Sequence, residues 1–521
     1  MTDTLDPKTP ILIGAAQFTQ RTAREKQFAE SLNPMELLAK AARGAVADTG
    51  AAAALAAAID TVAVVGFTAD APLEQGRLVK RLFRNPPASL ATHLGAKPRR
   101  TLYTGTGGNT PQWLVNRTAA EIASGACDVA LLAGAEYLAT FFGALSEGLD
   151  LGWSNSPDAD PGSDPEMIGD DRPGTSAYER AYGLQFPVNT YALFENAIRG
   201  AKGRSAEDHL KWMGQFFSRF SKVAADNPYA WFKAYRSPEE ISTPGPNNRF
   251  VGFPYTKYLN AMIAVDMSAA LVMTSVQKAR ELGIARDKWV FLHGCADAND
   301  IWNVTARVDL HSSPALKLVG KKAFAMAGRT AAELDYIDLY SCFPSAVEVA
   351  CQELGIAEDD PRGLTITGGL PYFGGPGNNY VMHAIATMME KVRGKPGSFG
   401  LCTGNGWYLT KHSAGIYSTT PTKGAWKRED PKGWQKDLDA MAHPEVEETP
   451  EGKAKVETYT IVTDRKGRRF GIVVGRLESG HRFLANTPDD KAILDWIMRE
   501  EMLGRVGDVG PTTTINLFRF R

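Results

Sequence analysis

Two short stretches carry residue types and spacing suited to a binding or reaction site. Leu102–Trp113, LYTGTGGNTPQW, is a glycine-rich loop running straight into a helix start, and Thr367–Asn379, TGGLPYFGGPGNN, repeats the arrangement later in the chain. Thr110 suits the N-cap and Pro111 the first helical turn, so unpaired backbone N–H groups face the first loop and favour negative charge there. The loop itself holds no cysteine, lysine or acid. Side chains able to act at such a mouth must come from elsewhere. Tyr340 closes the apolar run YIDLY, and Cys402 precedes Thr403 and Gly404 in GLCTGNG. Cys342 and Cys351 fall on helix-forming sequence and read as core. His383 lies off the apolar stripe of its helix and reads as a polar-face residue, while His412 and His293 carry less signal still.

These residues need a frame, and the chain alternates strand and helix. ILIGAAQF is followed by a helix over PMELLAKAARGAVADTG, the strand DTVAVVGF, the glycine loop, a helix to about Ser124, and the strand DVALLAGAE. Continuous apolar strands separated by helices predict a largely parallel sheet covered on both faces. Leu114, Val115, Ala119, Ala120, Ile122 and Ala123 leave the first mouth's helix little polar face, as expected between two sheets. From about Lys288 the rhythm returns in WVFLHGC, YIDLY and SFGLC, with a helix after the second mouth striped by Val381, Ile385, Met388, Met389 and Val392. This gives two similar halves, 1–287 and 288–420. Within the first, about 140–250 reads as an insertion: the acidic, proline- and glycine-rich DLGWSNSPDADPGSDPEMIGDDRPG as a solvated loop, then packed aromatic helices. A linker over 421–453 leads to short strands and turns over 454–521, the pattern of a small OB-like β-barrel.

The 521 residues are 44% hydrophobic and 22% charged, with formal net charge -1 and a sequence pI near 6.7. That balance gives no electrostatic case for nucleic acid. The basic residues of the tail (Lys466, Arg468, Arg469, Arg476, Arg482) are mixed with acids and few aromatics accompany them. No apolar run is long enough to cross a bilayer, and MTDTLDPKTP lacks the regions of a secretion signal, so a cytoplasmic protein without membrane contact is expected. Five scattered cysteines predict reduced thiols. No local zinc-ligand spacing is present, so no metal is expected.

Ordered blocks over about 10–420 resemble the thiolase superfamily, in particular its sterol-carrier-protein type. The segment from Gly108 through NRTAAEIASGACDVALLAGAE is similar to the nucleophile loop, helix and strand ending GxxDVxxAGGxE. IDLYSCFPSAVEVACQELG resembles the HDCF block, TGGLPYFGGPGNN the GGxxxxGHPxGATG block, and GLCTGNG the CxG block. The β-rich tail resembles thiolase-like protein type 1, which carries an added C-terminal domain. The resemblance implies an α/β thiolase fold of duplicated αβαβα layers with a loop-domain insertion and a C-terminal barrel. It also implies a coenzyme A thioester as substrate or ligand, no bound cofactor, and a homodimer or monomer. Carried over residue by residue, the nucleophilic cysteine falls on Gly108, the GHP histidine on Gly375 and the HDCF histidine on Tyr340. Cys402 stands at the acid/base thiol. Gly108, Asn109, Thr110, Gly374, Gly375, Asn378, Thr403 and Gly404 are then the expected substrate-binding residues, and Tyr340 and Cys402 the catalytic candidates. A glycine accepts no acyl group, so ordinary thiolysis through an acyl-enzyme at this position is not expected. Two functions remain in view. One is an acyl-CoA carbon–carbon lyase or acyltransferase in which Tyr340 donates to a thioester oxygen, or acts as acid/base if its pKa is lowered. The other is a catalytically silent acyl-CoA-binding protein.

Overall fold

The computed structural model describes residues 5–71 and 82–521, so the first four residues of the N-terminal stretch discussed above lie outside the described residues. The first half contributes β1 (Pro10–Gln20), β2 (Thr61–Val64), β3 (Arg100–Thr104), β4 (Val129–Tyr137) and β5 (Glu166–Ile168). It also holds the short β6 (Phe250–Gly252) and β7 (Tyr255–Thr256), then β8 (Asp266–Ser275). The second half contributes β9 (Val290–Asn299), β10 (Tyr336–Asp338), β11 (Phe399–Gly406) and β12 (Lys411–Ser418). They form one ten-stranded sheet in the order β10-β11-β12-β9-β1-β8-β4-β2-β3-β5.

Duplication is visible in that order. In the first half β2 and β4 pair parallel, β4 and β8 antiparallel, and β8 and β1 antiparallel. The second half repeats this with β10 and β11 parallel, β11 and β12 antiparallel, and β12 and β9 antiparallel. The sheet is therefore mixed, not largely parallel as continuous apolar runs suggested. Such a run shows burial on both faces and is silent on strand direction; β4 and β8 are both almost wholly buried yet antiparallel. The halves join where Ile11 and Leu12 pair with Phe291 and Val290.

The helices of the two mouths, Thr110–Ser124 and Tyr380–Gly394, pack against each other and against strands of both halves. Their apolar sides face the sheet on either side, which accounts for the near absence of a polar face.

In the tail, β13 (Gly452–Thr463), β14 (Arg469–Leu477), β15 (Arg482–Asn486), β16 (Val506–Pro511) and β17 (Asn516–Phe520) close a five-stranded barrel, with β14 returning to β13. β6 extends it through Val462 and Gly252. Residues 421–453 contain a helix, Lys432–Asp439, whose Trp434 indole donates to the Asp297 carbonyl at 3.1 Å. Arg482, counted among the basic residues of the tail, is fully buried: it donates to the Thr305 carbonyl at 2.8 Å and pairs with Glu457. Arg199, also fully buried, reaches from the insertion to Glu501 at 2.6 Å and to the Tyr459 hydroxyl at 3.0 Å. The barrel is thus fastened to the thiolase-like body by guanidinium groups.

Candidate active site

The first mouth is built where β3 runs into Gly105–Asn109. Asn109, one residue before the expected Thr110, is the N-cap, and its side chain makes no capping bond. The buried Asn109 Oδ1 has no hydrogen-bond partner among the described residues. The decisive contact is at Gly108. A Cβ placed there would lie 2.1 Å from the Tyr340 hydroxyl and 2.5 Å from the Asn405 carbonyl oxygen. Tyr340 therefore stands over the bare backbone of Gly108, at the helix tip. Its own backbone N–H donates to Thr403 Oγ1 at 2.9 Å, and its ring meets Tyr380 edge-on at 5.6 Å.

The second mouth reaches the first through asparagine. Asn378 Oδ1 accepts from the Gly107 N–H at 2.9 Å while its amide donates to the Gly66 carbonyl at 2.8 Å. Asn379 donates to the Gly134 carbonyl at 2.7 Å. Gly377 makes this approach possible: at φ +45 a Cβ would lie 1.9 Å from Thr68 Oγ1 and 2.3 Å from Glu136 Oε1. The helix proper begins at Tyr380, after a short 3-10 turn.

The sequence-derived residues are thus only partly united. Gly108, Asn109, Asn378, Thr403 and Tyr340 meet at one place, and a Cβ on Gly404 would come within 2.8 Å of Asn109 Cα. Thr110 begins the helix there. Gly375 instead donates to the Met262 carbonyl at 2.9 Å, and Gly374 lies against Met267 and Trp231, so these two shape the second loop's path along the 261–267 segment. Cys402 is fully buried beside Asp338 on the neighbouring strand, and that burial holds its thiol well above its ordinary value.

Tyr340 moves in the opposite direction from the one general-base chemistry needs. Burial, then the nearby Cys342, push its phenol well above 10, because a phenolate is poorly solvated there. Tyr340 is a neutral donor. His383, expected on a polar face, is fully buried. Its Nδ1 contacts Gln17 Oε1 at 3.0 Å, and burial lowers its pKa to about 3, so it is no acid/base substitute. The polar spacing of its helix was misleading because both sides of that helix are covered. His412 is held by Asp300 and Ser313, each at 3.2 Å, and His293 by the Thr420 carbonyl at 2.7 Å.

Several residues that the sequence did not single out line the same place. Asn405 donates to the Tyr191 hydroxyl at 2.9 Å and lies 3.9 Å from Cys342 Sγ, while its own Oδ1 is buried with no partner among the described residues. Cys342 is core, as read, and it borders this region. Asn405 follows Thr403-Gly404 directly, and that recognisable block was the available signal. Lys411 donates to the Thr106 carbonyl at 2.6 Å and the Asp170 carbonyl at 2.9 Å; burial lowers its pKa to about 8. The acidic segment read as a solvated loop is mostly exposed, and only its later part meets the mouth: Gly105 N–H donates to the Ile168 carbonyl at 2.8 Å and Thr106 N–H to Asp171 at 3.1 Å. Two buried acceptors without partners among the described residues, Asn109 Oδ1 and Asn405 Oδ1, thus lie near the helix tip.

The fold agrees with that of known proteins. Residues 434–514 match the family model of the thiolase-like protein type 1 additional C-terminal domain. The crystal structure of a monomeric SCP2-thiolase like protein type 1 from Mycobacterium smegmatis superposes with TM-score 0.84 at 36% identity, covering 99% of this chain and 100% of that one. The chain belongs to the SCP2-thiolase-like protein type 1 family. Among curated relatives, an acetyl-CoA acetyltransferase of Methanocaldococcus jannaschii is 23% identical over 53% of this chain and 62% of its own length. A 17-hydroxy-3-oxo-4-pregnene-20-carboxyl-CoA lyase of Mycobacterium tuberculosis is 26% identical over 42% and 58%. The chain thus spans less than two thirds of each of these curated relatives. No helix of the described residues is long and apolar enough to cross a membrane.

Proposed function

We propose that the chain binds acyl-CoA thioesters at the joined mouths and cleaves or forms a carbon–carbon bond next to the thioester without an acyl-enzyme. The observation that carries this is the Tyr340 hydroxyl standing where a side chain on Gly108 would project. A substrate carbonyl brought to this helix tip meets a neutral phenol and the positive end of the helix.

In the lyase direction a 3-hydroxyacyl thioester passes its 3-hydroxyl proton to solvent water, which returns one to C2, while the C2–C3 bond breaks to release a carbonyl compound and the bond's electron pair enters the thioester enolate. Tyr340 donates a hydrogen bond to the oxygen on which negative charge develops, a role that needs the phenol protonated, as burial keeps it. The relatives' names, one a lyase and one an acetyltransferase, support the thioester class for this chain. Cys402, kept protonated by burial, is the second residue to test.

A panel of acyl-CoA and 3-hydroxyacyl-CoA thioesters, incubated with the wild type and with Tyr340→Phe and Cys402→Ser, tests the proposal. Cleavage that falls about 10²–10³-fold in Tyr340→Phe is expected, the usual cost of losing one donor to a developing oxyanion. Tight binding with every thioester left intact would instead make the chain a silent acyl-CoA-binding protein.

A further inference from the structure

Away from the mouths, three helices bring a second group of side chains together. Glu195 comes from the Pro187–Ala201 helix, His209 from Ala206–Asp226 and Glu348 from Pro344–Leu354. All three are buried, and their potential ligand atoms lie within 4.8 Å of one another. Because they fall on three separate helices, no local spacing in the sequence announces them.

The orientation of the oxygens is informative. One oxygen of each carboxylate is held from outside the cluster: Glu195 Oε2 accepts from the Tyr255 hydroxyl at 2.5 Å, and Glu348 Oε2 pairs with the Lys202 ammonium. The other oxygen of each turns inward. Glu195 Oε1 meets His209 Nε2, and Glu348 Oε1 lies 3.6 Å from the same nitrogen with no hydrogen-bond partner among the described residues. The imidazole is fixed by stacking on Trp212 at 5.3 Å. The other ring nitrogen, Nδ1, is buried with no hydrogen-bond partner among the described residues. Anchored outer oxygens and convergent inner donors are how metal ligands are usually supported. An unpaired buried acceptor such as Glu348 Oε1 is costly to leave without a partner.

We propose that Glu195, His209 and Glu348 bind a divalent cation of the zinc type. One imidazole and two carboxylates form a donor set suited to zinc, with a fourth position open to water. The ion would join the two insertion helices to the helix that directly follows Tyr340-Ser341-Cys342-Phe343. Its role is to hold that segment in place, and it takes no part in the reaction.

The untagged full-length chain, stripped with a chelator, is titrated with Zn²⁺ by calorimetry and with Co²⁺ by visible absorption. One equivalent per chain is expected, with a higher melting temperature in the presence of metal. Glu348→Gln should weaken binding by more than about 10-fold while circular dichroism shows the fold retained. If that variant does not fold, an anomalous-scattering map of Co²⁺-soaked wild-type crystals should place the ion among these three side chains. Absence of stoichiometric binding, unchanged affinity in folded Glu348→Gln, or cobalt located elsewhere would overturn the site and leave a proton-sharing carboxyl network in its place.

Discussion

At the level of single residues, the account rests on an exchange of volume at the first helix tip. Tyr340 and any side chain at position 108 compete for one space, so Gly108→Cys alone is expected to destabilise the protein by about 1–3 kcal/mol, the usual cost of overpacking. Tyr340→Ala in the same chain should recover only part of that loss, because the Asn405 carbonyl oxygen also stands 2.5 Å away, and a double-mutant cycle of urea unfolding measures the coupling. Lys411 offers a pH test. Its folded pKa of about 8 lies below the ordinary 10.5, so above pH 8 the unfolded chain holds more protons than the folded one. Stability from this group therefore rises with pH between about 8 and 10.5, and the sign reverses for buried tyrosines only above 10. Thermal melts at pH 8 and 10 should show this gain in the wild type relative to Lys411→Met. Tyr340 and Thr403 were legible in the sequence because recognisable blocks contain them. Lys411 was not, since what distinguishes it is the carbonyl oxygens of Thr106 and Asp170, and those lie far away along the chain.

Among the elements, the connection between the two mouths is a single asparagine. Asn378→Ala removes the acceptor for Gly107 and the donor to Gly66 together. A loss of about 1–3 kcal/mol is expected for groups left unsatisfied in a buried place, and hydrogen exchange should show faster opening at Gly107. The two glycine loops were visible as repeated punctuation before helix starts, and the duplicated strand order confirms that the repetition reflects the fold. Strand direction was not visible, since β4 and β8 carry the same continuous apolar pattern whichever way they run. The acidic 150–174 stretch is largely exposed, as its composition indicates, but its contacts with the mouth were not visible in the sequence. Lys411 and the amides of Gly105 and Thr106 supply partners that the local sequence does not reveal.

For the whole molecule, one end of the ten-stranded sheet lies in the first half. β3 would be an open edge, but β5 pairs with it along Leu102–Thr104, and Arg100 is bound to Glu166 at 3.2 Å. β5, now the end strand, is only three residues long and offers little ladder to a second copy, so sedimentation velocity should give a single species at the chain mass of 56.5 kDa. A species of twice that mass would mean that another surface supports pairing. Arg199 and Arg482 make the barrel and body one cooperative unit. Arg199→Met, which leaves the half-exposed Glu501 to water and removes a donor to the Tyr459 hydroxyl, should cost about 1–3 kcal/mol and lower or split the calorimetric transition.

The most direct test of the central claim is a crystal structure of the wild type with a non-cleavable acyl-CoA analogue. The thioester carbonyl oxygen is predicted to sit about 3 Å from the Tyr340 hydroxyl at the tip of the Thr110–Ser124 helix, with no covalent bond to the protein. An analogue bound away from Gly108 and Tyr340, or an acyl group attached to a cysteine, would contradict it.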